Sequence, residues 1–463
     1  MSTAYADYLS AYFENQRWFA GKGREFAVTH VHAMPWLSRT ELRFRIEVVT
    51  VTFEDGSRDT YQFPVVYLAD PDPDLTHAMV GEVDDPLLGA VTAYDATHVR
   101  AANDTLLAGF RGRQSASCDA VSFEMLDDAE LPEGPLPGSV MTGEQSNTSI
   151  RYGDEAILKL FRRLSPGPNP DVEIHAALTR HNSESVAPLL GWIDGSWSDS
   201  ADESHRGQLG MLQAFLRTAS DGWEAALASV RDLLVEEDLH ADEVGGDFAG
   251  EAERLGEATA EVHGDLADVF DTRMLDDVQL GRLAQEMGAR LDRAVRVVPD
   301  LAEHADDLRR HFSALAELNE DVAVQRIHQD FHLGQTLRTV KGWKIIDFEG
   351  EPAKGLAERT GLDSPLRDVA GMLRSLDYAA RVTLRRFGER PQLSYRADEW
   401  TDRNRNAFLT GYATVAGDDP RSHQVLLSAY ETDKAIYEAA YEARHRPNWL
   451  PIPMKAIKRI AAA

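Results

Sequence analysis

An α+β chain of more than one domain is what this sequence predicts. Three observations carry that prediction. The chain has 463 residues, more than one ordinary hydrophobic core accommodates. Its N-terminal part alternates apolar and polar residues with period two, as at Leu42, Phe44, Ile46 and Val48. From about Gly222 onward the apolar spacing becomes helical, for example in WEAALASVRDLLVEE (223–237) and EAERLGEATAEVH (251–263).

Taken in order, residues 41–68 form a hairpin. Asp55-Gly56 supplies the turn, and Tyr61, Phe63 and Val65 alternate on the return strand. Pro64 has no N–H to donate, which predicts an edge position for that strand. Trp18 and Phe19, upstream, are expected in a core. A second β-rich run begins near Val121, and Pro132, Pro135, Pro137 and Gly138 mark a loop after it. Residues 139–164 then read as strand, polar loop, strand, Gly-Asp turn and strand. The last of these strands, Ala156 to Phe161, carries Lys159. SPGPNP (165–170) breaks the chain, and the helix after it has Asp171 near its start and contains Glu173. The helical C-terminal part has one interruption, LGQTLRTVKGWKIIDF (333–348). Leu337, a Lys341-Gly342 turn and Trp343-Ile345-Ile346 make a short hairpin ending in Asp347. The expected division is an N-terminal module at 1–110, a small sheet with one helix at 111–213, and a mainly helical lobe at 214–463.

Composition excludes several classes. Hydrophobic residues make up 43% and charged residues 27%, the balance of a soluble globular protein. No apolar run is long enough to cross a bilayer. The start, MSTAYADYLSAYFENQRW, lacks the basic and apolar regions of a signal peptide. The single cysteine, Cys118, allows neither an internal disulfide nor a cysteine zinc cluster. These features predict a cytoplasmic protein. A formal net charge of −29 repels nucleic acid and anionic membranes, so neither is an expected partner. The basic residues are mostly arginine, and Lys159 is the only lysine between positions 22 and 341. That choice points to a compact ammonium.

HQDFHLGQTLR (328–338) concentrates polar side chains and admits three readings. In an extended strand His328, Asp330 and His332 would face one way, as zinc ligands can. Alternatively the histidines donate to backbone carbonyls in a structural loop. The third reading is phosphoryl transfer. Kinase-type loops place an aspartate, which accepts the proton of the acceptor hydroxyl, a few residues before an amide that binds Mg2+. A hairpin then supplies a second aspartate to the metal bridging the ATP phosphates. Asp330, Gln335 five residues on, and Asp347 at the hairpin end follow that order. Upstream, a strand lysine and a helix glutamate, Lys159 and Glu173, fit the pair that grips the α/β-phosphates. Between them and the N-terminus, GEQSNTS (143–149) would cover the phosphates with Ser146, Asn147 and Thr148, although Gly143 is its only glycine. A metal hydrolase needs no such lysine, so the four elements in order favour a kinase.

Several stretches resemble a known family. HQDFHLGQTLR, IIDFEGEP (345–352) and DSPLRDVAGMLRSLDYAAR (363–381) resemble the actinobacterial maltokinases, relatives of the aminoglycoside phosphotransferases. QRWFAGKGR (16–24) and YEARHRPNWLPIPMKAI (441–457) resemble that family's terminal signatures. The resemblance implies an eukaryotic-protein-kinase-like, aminoglycoside phosphotransferase-type bilobal fold with an added β-rich N-terminal cap. It implies ATP-dependent phosphorylation of maltose to maltose 1-phosphate for α-glucan synthesis, and an association with trehalose synthase. Asp330 would match the catalytic base, Gln335 and Asp347 the Mg2+ ligands, and Lys159 and Glu173 the phosphate-gripping pair. Gln213-Ala214-Phe215 would match the adenine-binding hinge. The chain has HQD where the family often has HGD, which puts Gln329 in a glycine's place.

The remaining candidates carry alternatives. The alternative for Gln335 is a hydrogen-bonded turn residue. His328 is expected to orient the loop and His332 to be structural. Glu349 and Glu351 are either metal or sugar ligands or solvated loop carboxylates. Asp368 caps a helix or anchors the loop. Lys434, Tyr437 and Tyr441 fall on one face of a late helix at i, i+3 and i+7, which aromatic burial alone would explain. With the resemblance, that face lines the acceptor pocket. Rival functions are a kinase of glucosamine or an aminoglycoside, a non-catalytic binding module of the same shape, and a metal-dependent hydrolase.

Overall fold

The computed structural model describes residues 3–39, 42–85, 87–113, 115–116, 120–141, 146–217, 219–318, 320–351, 354–388 and 390–462. Cys118 and Gly143 lie outside the described residues. The chain divides into two compact units, one of residues 1–176 and 187–217 and one of 177–186 and 218–463.

The first unit holds two antiparallel sheets. Strands Phe26–Ser38, Arg43–Phe53, Arg58–Leu68, Gly89–Asp95 and Met79–Asp85 lie side by side in that order. The hairpin expected over 41–68 is present, closed at Asp55-Gly56 with Thr52 opposite Arg58. Its return strand is interior, which corrects the edge position expected from Pro64. On the side away from Arg43–Phe53, the return strand meets Arg163–Leu164 at Thr60 and Tyr61 and Gly89–Asp95 from Val65 onward. Gln62 N–H points to that side, to the Arg162 carbonyl at 2.8 Å. Pro64 therefore faces the gap between two partner strands, where no donor is required. Helix Thr3–Glu14 covers this sheet, and Phe13, Trp18, Phe19, Tyr61 and Phe63 form its aromatic core. Trp18 and Phe19 are core residues, as expected.

The second sheet runs in the order Ser115–Ala116, Val121–Met125, Leu189–Ser198, Ser204–Ala214, Ala156–Phe161, Asn147–Tyr152, Gly138–Val140. The strands expected at 121 and over 139–164 are all here. The two longest, at 189 and 204, carry weak sequence signals. Leu189–Ser198 alternates strictly between buried and half-buried residues. Glycine fills two of its inward positions, 191 and 195. A Cβ at Gly195 would meet Leu209 at 2.7 Å, so packing removes the apolar side chain that would mark the period. Helix Pro170–Arg180 follows the lysine-bearing strand, as its sequence predicts.

The second unit is helical. Gly222–Val235, Ala249–Val269, Asp277–Val297, Ala305–Ala316, Pro365–Phe387, Pro391–Ala416, Gln424–His445 and Pro451–Ala461 are its long helices. The expected hairpin is Thr336–Thr339 with Gly342–Ile345, extended by Ser220–Asp221. Among the described residues, no helix is long and apolar enough to cross a membrane.

Candidate active site

In the first unit, Lys159 sits mid-strand, paired with Ser149 on one side and Met211 on the other. Its Nζ lies 2.8 Å from Asp171 Oδ2, and the Asp171 side chain is 1% exposed. His175 Nδ1 approaches Asp171 Oδ1 at 3.0 Å. Burial pushes the Asp171 carboxyl up, but Lys159 and His175 outweigh it and hold the group far below the carboxylate range. Asp171 is thus a buried partner of Lys159, and Glu173, the partner that the sequence suggests, is exposed on the same helix. The offset of two residues puts one side chain inward and the other outward.

The neighbouring strand begins at Asn147. Asn147 and Thr148 are buried and Ser146 is exposed. The Thr148 hydroxyl accepts from Arg162 Nε at 2.8 Å, and Arg162 pairs with buried Asp95 at 2.8 Å. At the expected hinge, Ala214 N–H donates to the Pro188 carbonyl and Phe215 N–H to the Glu155 carbonyl, each at 2.9 Å. Gln213 keeps a buried Nε2 with no hydrogen-bond partner among the described residues.

In the second unit, the stretch after Val322–Val324 leaves the extended conformation. Gln329 has φ +67°, in the left-handed region, and its Nε2 donates to the Gly361 carbonyl at 2.8 Å. This turn breaks the alternation on which a strand-borne zinc site depended, and His328, Asp330 and His332 form no ligand cluster among the described residues. Asp368, 1% exposed, anchors the loop by accepting from His328 N–H at 2.7 Å and Gln329 N–H at 2.9 Å. His263 Nε2 meets Asp368 Oδ2 at 3.2 Å and closes the anchor. His328 bridges two loops: Nε2 donates to the Ile346 carbonyl at 2.9 Å, and Nδ1 accepts from Asp330 N–H at 3.4 Å. His332 Nδ1 accepts from Gly334 N–H at 3.1 Å and caps the short turn that follows. Helix Pro365–Phe387 approaches so closely at Gly371 that an added Cβ would lie 2.5 Å from the Phe331 carbonyl oxygen.

The hairpin places Asp347 beside this loop. Ile346 N–H donates to the Gln335 carbonyl at 3.1 Å, so residues 335 and 347 are tied through backbone. Asp347 is the second left-handed non-glycine residue here, at φ +69°. Such conformations cost about 1–3 kcal/mol and persist where surrounding contacts impose them. Gln335, whose side chain makes no hydrogen bond among the described residues, and Asp347 offer oxygen donors of the kind Mg2+ accepts.

Asp330 Oδ1 lies 3.1 Å from Lys434 Nζ. Burial pushes the Asp330 carboxyl up, yet Lys434 and the two loop histidines hold it below its ordinary value. Burial pulls Lys434 down, and Asp330, Glu351 and Glu438 raise it above the usual lysine range. Glu351 accepts from the Tyr437 hydroxyl at 2.8 Å; burial and then the Asp330 charge raise its carboxyl. Lys434 and Tyr437, with Glu351, line a cavity of about 400 Å3 that also touches Gln329 and Phe331, the residues flanking Asp330. Tyr441 stacks on Tyr437 at 6.2 Å but is 40% exposed and outside the lining. Glu349 is half-buried, its carbonyl accepting from Arg359.

Sequence reasoning missed Asp171 as the lysine's partner and the cavity residues Arg290, Lys354 and Asp433. Asp171 was visible at a helix start. The others come together across more than 140 positions (Arg290 Nε to Asp433 Oδ1, 2.7 Å), and no local signal announces them.

Residues 12–98 match the family model of the maltokinase N-terminal cap domain. The chain is 28% identical over 348 residues to a glucosamine kinase of Streptacidiphilus jiangxiensis, covering 71% of this chain and 75% of that protein. It is 26% identical over 324 residues to a glucosamine kinase of Mycolicibacterium smegmatis, covering 68% and 78%. A solved glucosamine kinase in complex with glucosamine, ADP and inorganic phosphate superposes with TM-score 0.67 at 21% identity, covering 97% of this chain and 98% of that one. The fold is therefore the α+β kinase-like fold with an added β-rich N-terminal cap. These likenesses support a kinase of the type that carries a maltokinase cap.

Proposed function

We propose that the chain is an ATP-dependent sugar kinase. The observation that carries this reading is the Asp330 loop: a carboxylate paired with Lys434, fixed through Asp368 and His328, tied to the Asp347 hairpin and opening beside a cavity. Asp330 takes the proton of the acceptor hydroxyl as its oxygen attacks the γ-phosphorus; the bond to the ADP oxygen breaks. Lys434 keeps Asp330 charged and His328 keeps it aimed. Gln335 and Asp347 would hold Mg2+, which when bound neutralises phosphate charge. Lys159, oriented by Asp171, grips the nucleotide phosphates, with Ser146, Asn147 and Thr148 in the covering loop. Gln213 and Phe215 face the base.

Maltose, phosphorylated to maltose 1-phosphate for α-glucan synthesis alongside trehalose synthase, is the acceptor that the cap match favours. Glucosamine is the second reading, favoured by the names of the relatives. Lys434 and the arginines around the cavity disfavour an ammonium substrate. ADP release measured over maltose, glucose, glucosamine and kanamycin, with product NMR, tests both. Maltose is expected to support turnover, and Asp330→Asn to lower it about 100-fold or more. Turnover on glucosamine but not maltose overturns the acceptor; an Asp330→Asn enzyme at the parent rate overturns the mechanism.

A further inference from the structure

The cavity beside Asp330 carries more positive charge than its own carboxylates neutralise. Three carboxylates line it, and each is engaged. Asp433 accepts from Arg290 through both oxygens, at 2.7 and 2.8 Å, and lies 3.6 Å from Arg367. Asp368 is held by the loop amides and His263, and Glu351 by Tyr437. Three further cations of the lining, Arg293, Lys354 and Arg444, form no ion pair or side-chain hydrogen bond among the described residues. Burial and the charges of Arg367 and Arg290 press the Lys354 ammonium toward its neutral form. In a chain of net charge −29, a set of unpaired cations around one cavity is a departure from the whole. An anion entering there would gain charge-assisted hydrogen bonds and relieve mutual repulsion. The lining also offers the half-buried Tyr437 ring, a surface suited to a pyranose face, whereas Phe331 and Tyr430 are almost wholly buried.

We propose that this cavity is a binding site for a sugar bearing an anionic group, phosphate ester or carboxylate, which competes there with a neutral acceptor. Its placement as a competitor rests on the kinase reading; its anion preference does not. The unneutralised cations supply the affinity and Tyr437 supplies the sugar selectivity.

Calorimetric titration of the full chain, without nucleotide, tests this with glucose 6-phosphate, glucuronate, glucose, glucosamine and inorganic phosphate. An anionic sugar should bind about tenfold or more tightly than glucose, as a charge-assisted contact predicts. Tighter binding of glucose 6-phosphate than of glucuronate identifies the phosphate ester, and the reverse identifies the carboxylate. Lys354→Gln and Arg444→Gln should each weaken the anionic sugar several-fold more than glucose, while Lys354→Arg retains the preference. Glucose or glucosamine binding as tightly as both anionic sugars overturns the proposal. So does inorganic phosphate matching glucose 6-phosphate, or a preference that survives both glutamine variants. Thermal melts of the variants separate lost folding from lost binding. Failure of any sugar to elicit ADP release would sink the kinase reading alone, because the titration reads affinity without turnover.

Discussion

Asp330 and Lys434 stand 104 positions apart in sequence and 3.1 Å apart in space, and their pairing decides the charge state of the candidate base. Burial opposes ionisation of Asp330, and Lys434 is the largest influence the other way. Removing the ammonium leaves burial and the nearby Glu351 carboxylate, so the Asp330 pKa must rise. Lys434→Gln is therefore expected to move the acid limb of the kcat/KM profile to higher pH; an unmoved limb would show that Lys434 does not set it. Gln329 gives a second test at this scale. Its left-handed backbone suits glycine, but its amide holds the Gly361 carbonyl. Gln329→Gly removes a strained conformation and a hydrogen bond together, terms of about 1 kcal/mol each, so the urea midpoint should move little. Gln329→Val keeps the strain, sharpens it by β-branching and loses the bond, and should cost roughly 1–3 kcal/mol. Equal stabilities of the two variants would contradict this account. Asp330, Gln335 and Asp347 were legible as a spaced set because one loop and one hairpin carry them. Asp171 was missed as a partner of Lys159 because spacing along a helix start does not reveal which side chain turns inward.

Elements were legible where one stretch carries its own signal. The strand of Lys159, the Gly342 hairpin and the helices after 222 each show their period and their turn residues. The strand at 189 lost its signal to inward glycines, and Pro64 misled because its partner strands come from distant segments. The active loop belongs to this second kind, since its anchor is a helix roughly 40 positions downstream, with Asp368 on His328 and Gln329. Asp368→Ala would leave two buried N–H groups without acceptors, a cost of roughly 2–4 kcal/mol. It should lower the urea midpoint and the turnover together. Gly371 separates these effects. Its Cβ would press on the Phe331 carbonyl, so Gly371→Ala should displace the residue beside Asp330 and lower kcat about tenfold or more. A Gly371→Ala enzyme with parental kcat would show that the close approach does not position the loop.

Across the whole molecule, acidity and arginine meet in buried ion pairs whose pH dependence has a definite sign. Asp377 meets three guanidinium groups, Arg374 at 2.7 Å, Arg459 at 3.2 Å and Arg381 at 3.4 Å. Burial pushes its carboxyl up, and the three guanidinium groups hold it far below the carboxylate range. Asp171 behaves likewise through Lys159 and His175. A carboxyl depressed in the folded state stabilises it fully above the unfolded pKa, about 3.9 for aspartate, and loses that contribution as pH falls toward the folded value. Glu351, raised by burial and by Asp330, acts in the opposite direction but is a single group. Unfolding free energy should therefore change little from these carboxylates between about pH 5 and 8, and fall steeply below about pH 4. Each such aspartate adds up to about 1.4 kcal/mol per pH unit to the slope there, one proton's worth of linkage. Asp377→Asn should be less stable at neutral pH and shallower below pH 4 by up to that amount. Guanidinium midpoints measured from pH 3 to 7 would read both effects, and parallel curves for parent and variant would mean that Asp377 is already protonated or unpaired in the folded chain.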